Sequence, residues 1–156
     1  MASIEDDVVG AADAVAPALV TSGYRADFSP ASVWELERFF VEHTAGGAPT
    51  PGGLLAADTG KRVFAVGCYL GETLRRNLGG RWFGDEDDPN TEVTVTLILP
   101  DGTEAVPVQQ VMQRIVRGDA DNVAWYAIAL GLEPGPPPSG MGLPFGKRRR
   151  FGRRRR

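Results

Sequence analysis

The chain has 156 residues, 42% hydrophobic and 24% charged, which is enough apolar content for one folded domain and too much for a disordered chain. No apolar run reaches the ~20 residues that cross a bilayer, and the acidic start Glu5-Asp6-Asp7 lacks the basic region of a secretory leader, so a cytoplasmic domain is expected. A single cysteine, Cys68, excludes an internal disulfide and suits a reducing compartment; with His43 as the one histidine, the usual zinc ligand sets cannot be assembled.

In chain order, the Ala- and Val-rich residues 4–16 predict a helix ended near Pro17. Ser32 and Glu35 have capping-box spacing, with Pro30 just upstream, and open a second helix to His43 whose stripe is Val33, Leu36, Phe40 and Val41. Residues 44–53 (TAGGAPTPGG) read as a flexible loop. A third helix spans Lys61–Leu78 and stops at Gly79-Gly80. Gly67 and Gly71 lie inside it, each costing about 1 kcal/mol, so that face is expected to admit another backbone and the helix to be central. Arg81–Phe83 predicts a short strand, and the β-branched Glu92–Leu99 (EVTVTLIL) a longer one. Pro100-Asp101-Gly102 turns it into a hairpin with Thr103–Val106. A helix follows from Pro107 to Arg117, closed by Gly118, and a last one from Asn122 to Leu130, capped by Asp119 or Asp121.

The expected fold is α+β, a small antiparallel sheet of two to four strands packed with four to five helices over residues 1–133. Residues 134–146 (PGPPPSGMGLPFG) form a Pro/Gly-rich linker. The net charge of −3 hides a segregation. Residues 147–156 hold eight of the seventeen cations and no acid, leaving residues 1–146 with nine cations against twenty carboxylates, a net of −11. The basic end is a tandem repeat, Phe145-Gly-Lys-Arg-Arg-Arg then Phe151-Gly-Arg-Arg-Arg-Arg, expected to stay disordered until a partner neutralises it.

Gly67-Cys68-Tyr69-Leu70-Gly71-Glu72, Gly79-Gly80-Arg81-Trp82, the hydrophobic strand, Leu99-Pro100-Asp101-Gly102 and the helix from Pro107 occur in an order that resembles an uncharacterised bacterial family, catalogued as domain of unknown function 3806. The resemblance covers residues 30–130. It implies an α+β domain without an assigned activity and supplies no catalytic residues.

No motif establishes an enzyme. Cys68 and His43 would make a nucleophile pair, but Cys68 sits mid-helix, where cysteine packs as a small hydrophobe, and His43 suits a helix C-terminus. Residues 53–62 (GLLAADTGKR) miss the phosphate loop twice, with Leu55 where glycine is needed and Arg62 where Ser or Thr is needed. The acidic loop 85–90 (DEDDPN) fails the calcium pattern, with Asn90 at the glycine position and Thr96 at the final glutamate position. Glu72, with Arg75 and Arg76 following, reads as an intrahelical ion pair, or as a polar group in a shallow pocket beside Trp82. Neither a metal nor a cofactor is expected.

The strongest binding signal is the tail. Lys147, Arg148, Arg149, Arg150, Arg153, Arg154, Arg155 and Arg156 attract any polyanion, and Phe145 and Phe151 add contacts to bases or to a membrane interface. Arginine over lysine places nucleic acid ahead of an anionic membrane. The expected function is thus a non-enzymatic binding or adaptor domain tethered by its tail. The alternative is an immunity-type or chaperone-like protein whose acidic body binds a basic protein.

Overall fold

The computed structural model describes residues 3–138, and the repeats around Phe145 and Phe151, with the eight tail cations, lie outside them. The fold is α+β: the described residues form six helices, a three-stranded antiparallel sheet and a separate two-stranded hairpin.

Helix α1 (Ile4–Thr21) runs one turn past the expected stop. Pro17 lies inside it on the exposed face, and the turn beyond is held by burial of Ala16 and Leu19. Packing outweighs one missing amide. The capping box is here and not at Ser32: Ser3 Oγ accepts from the Asp6 amide at 3.1 Å, and Asp6 accepts from the Ser3 amide at 3.4 Å. At the start of α2 (Ser32–His43), Ser32 Oγ instead donates to the Ser29 carbonyl and accepts from the Tyr69 hydroxyl, while Glu35 accepts from the Arg25 amide. A buried partner has taken the hydroxyl that the local pattern assigned to a cap.

The stretch read as a flexible loop contains a hairpin. Strands β1 (Thr44–Ala45) and β2 (Ala48–Pro49) pair across Gly46-Gly47. Both glycines have positive φ, 62° and 84°, the tight-turn conformation that favours this dipeptide.

Helix α3 (Thr59–Leu78) is the spine, with α1 on one side and α5 (Pro107–Arg117) on another. Its two interior glycines, Gly67 and Gly71, do what their cost required. A methyl at Gly67 would come within 2.7 Å of the Val108 Cα on α5, and one at Gly71 would overlap the Trp82 ring and Pro107. The helix therefore brings α5 and the Trp82 strand close on the face where side chains are missing.

The sheet is β3 (Arg81–Phe83), β4 (Thr96–Ile98) and β5 (Glu104–Ala105), in that order, with Trp82 opposite Leu97 and Leu97 opposite Ala105. The strand expected from Glu92 is shorter, because Thr91–Thr94 forms a turn of helix, α4. The Asn90 carbonyl accepts from the Val93 and Thr94 amides and from the Thr94 hydroxyl, so local bonds after the acidic loop prevail over β-branched propensity. After α5, a 3-10 turn (Gly118–Asp121) leads to α6 (Val123–Ala129). The cap of α6 is Asn122, not an aspartate: its Oδ1 accepts from the Ala124 and Trp125 amides at 2.8 and 3.0 Å. Beyond α6, Leu132 and Pro134 are buried, and the Trp34 indole donates to the Gly135 carbonyl, which fastens the first linker residues to α2.

Candidate functional site

Within the body the sequence offers Glu72 and Trp82 as a pocket pair, and the fold joins them. Glu72 is on α3 and fully buried; Trp82 on β3 is nearly so. The Trp82 indole donates to Glu72 Oε2 at 2.7 Å. Arg75 binds both carboxylate oxygens at 2.6 and 2.8 Å, and Arg76 Nε donates to Oε1 at 2.9 Å. Arg76 also reaches Asp13 on α1 at 2.9 Å and lies over the Phe28 ring, 3.8 Å from its centre. Burial pushes the Glu72 carboxyl up, but bonds from Arg75, Trp82 and Arg76 outweigh it and hold the carboxyl at about 2. The group is a fixed anion with four donors around it, tying α1, α3 and β3 together. Neither residue lines any of the clefts described below.

Cys68 is completely buried, and desolvation pushes its thiol far up, the opposite of an activated nucleophile. His43 is engaged elsewhere. The Leu54 amide donates to its Nδ1 at 3.1 Å, which leaves the proton of a neutral ring on Nε2, 3.1 Å from the Tyr24 hydroxyl; that hydroxyl in turn donates to Glu42. The acidic loop bonds to itself, Asp85 to the Asp87 amide and Asp88 to the Asn90 amide. Among the described residues, no group of three or more His, Cys, Asp or Glu is placed to hold a metal, and no helix is long and apolar enough to cross a membrane.

Sequence reasoning missed a second buried ion pair. Glu37 on α2 and Arg114 on α5 are 1% and 3% exposed, with Arg114 donating through Nε at 2.8 Å and a second nitrogen 2.6 Å away. Glu37 also accepts from the Val123 amide at 3.1 Å, stitching the start of α6 to α2. The signal was present: Glu37 lies one turn beyond Val33 on the apolar face of α2. Its partner, 77 residues away, was not readable from spacing.

Among the described residues, the surface includes two apolar clefts. One, of about 270 Å³, lies between α1, α2 and α3, and is walled by Val15, Leu19, Phe39, Leu55 and Val66 with Arg62 on its lining. Another, of about 400 Å³, lies between α3 and α5 beside the exposed Met112 and Val116. Arg62, which entered the sequence reading only as a flaw in a phosphate motif, is the single charged residue of the first cleft.

Electrostatically, two acidic runs meet at one pole. The Ile4 amide donates to Glu86 at 3.4 Å, which sets Glu5, Asp6 and Asp7 beside the loop of Asp85, Glu86, Asp87 and Asp88.

No family model matches this chain, and no curated protein or solved structure matches it.

Proposed function

We propose that the chain is a non-enzymatic binding domain whose basic end tethers it to a polyanion, with nucleic acid the first-ranked partner and an anionic membrane surface the second. The observation that carries this reading is the charge segregation: eight cations in the last ten residues against a body of net −11. Such an end gains affinity by releasing counterions from phosphates, with little demand on shape. Phe145 and Phe151, one per repeat, add stacking on unpaired bases. The body supports a binding role in a simpler way: its buried groups Glu72, Glu37 and Cys68 are occupied in packing, and its surface carries two apolar clefts.

The test compares the full chain with a chain ending at residue 146, on single-stranded DNA, duplex DNA and anionic vesicles over a salt series. Binding that requires the last ten residues and weakens steeply with salt supports the tether. Binding that ignores salt, or survives the truncation, overturns it.

The acidic pole at the start of α1 favours a second reading, an immunity-type or chaperone-like protein that covers a basic partner. It expects the truncated chain to retain one basic protein, and charge reversal at Asp85, Asp87 and Asp88 to release it.

A further inference from the structure

We propose that the cleft between α1, α2 and α3 binds a small aliphatic carboxylate, its chain against Val15, Leu19, Phe39, Leu55 and Val66 and its head at Arg62. This inference concerns the body alone and does not rest on the tail.

The cleft is preformed. Its outer wall is the segment of Leu54 and Leu55, which is fixed at several points: the Leu54 amide donates to His43 Nδ1, the Leu54 carbonyl accepts from Arg62 Nη1, and the Leu55 carbonyl accepts from the Thr59 hydroxyl. Leu55 is 1% exposed, so the wall is anchored in the core. A ligand therefore need not order this segment on binding.

The charge of the head group follows from Arg62. Of the nine cations in the described residues, six are ion-paired, and Lys61, Arg62 and Arg81 are the three without a carboxylate partner among the described residues. Only Arg62 of these lines the cleft, and its Nε and Nη2 keep donor capacity after the bond to Leu54. No acidic side chain lines the cleft, so an amine would find no counter-charge while a carboxylate finds a guanidinium fork. The walls are mainly aliphatic, and a volume of about 270 Å³ is smaller than most sites for drug-sized ligands, which selects a short chain.

The experiment is a methyl-resolved NMR titration of the full chain with millimolar octanoate, octanol and octylamine. Octanoate is expected to shift the methyls of Val15, Leu19, Leu54 and Val66, with octanol weaker and octylamine weakest. Arg62→Gln, at an exposed position, is expected to weaken octanoate about tenfold and octanol much less, the smaller loss reporting the Leu54 carbonyl's lost donor. Ala18→Trp, a cleft-filling change at an exposed position of α1, is expected to abolish both. Saturable shifts confined to this cleft and sensitive to Arg62 support the site. No shifts with octanoate, shifts elsewhere, or equal affinity in Arg62→Gln overturn it.

Discussion

Glu37 and Glu72 are both glutamates on helices, both essentially inaccessible to water and both held by arginine, yet they are displaced in opposite directions. Burial pushes the Glu37 carboxyl up, and Arg114 with the Val123 amide does not fully offset it. Glu72 is held down at about 2. The difference lies in the partners. Arg114 is itself 3% exposed, so that pair withdraws two charges from water together. Arg75 and Arg76 keep about a third of their side chains in solvent, 30% and 32%, and Trp82 adds a neutral donor from the protein side. A buried carboxylate stays charged comfortably when its counter-charges remain hydrated and its lone pairs are filled.

The largest expected effect comes from breaking the deeper pair. Arg114→Met leaves Glu37 buried without its cation and is expected to cost about 3–5 kcal/mol in urea unfolding at neutral pH. Glu37 titrates high already and rises further without Arg114, so the folded state holds its proton over the range where the unfolded chain has lost it. The variant's stability therefore falls as pH rises through that range, and its deficit shrinks in mild acid. Adding Glu37→Leu removes the stranded charge and is expected to recover most of the loss, leaving about 1–3 kcal/mol for the Val123 amide without an acceptor. A double variant no better than Arg114→Met would mean that the pair is held for its shape and not its charge.

Glu72→Gln comes next, on the order of 3 kcal/mol at neutral pH, from a carboxyl lowered from 4.5 to about 2. A depressed carboxyl contributes fully above its unfolded value. The wild-type chain should therefore lose this contribution as pH falls from about 4.5 towards 2, and the variant should lack that acid limb. Parallel stability-against-pH curves for the two proteins would refute the assignment of Glu72 as a fixed anion.

Much of the frame around these two sites could be read from the residues. Gly67 and Gly71 announced a close approach to α3, and the Gly79-Gly80 exit and the helix from Pro107 follow local rules. Glu72 with Arg75 and Arg76 was readable because the ion pairs are three and four residues apart. The failures come from partners that the linear pattern does not show, tertiary in two cases and local in the third. Tyr69 took the Ser32 hydroxyl, burial of Leu19 carried α1 past Pro17, and side-chain and backbone bonds after the acidic loop turned Thr91–Thr94 into helix. The apolar cleft was invisible for the same reason. Its walls come from three helices and a loop, and Arg62 acquires meaning only when they are assembled.

Trp82→Phe gives the smallest effect and the sharpest view of the difference between the two glutamates. Phenylalanine keeps an aromatic ring on β3 but draws back from Gly71, which the far edge of the indole now covers, and removes one neutral donor from Glu72. Three donors then remain, all from arginine. The lost hydrogen bond is worth roughly 1 kcal/mol. Because it favours the charged carboxylate, its removal should move the Glu72 titration up from about 2 while both arginine pairs stay in place. Carboxyl-resolved NMR over the acid range reads that shift directly, and unfolding measured alongside separates it from a change in packing. An unmoved titration would show that the hydrated arginines alone hold Glu72 charged. In that case the contrast with Glu37 would rest on the exposure of the counter-charges and not on the number of donors.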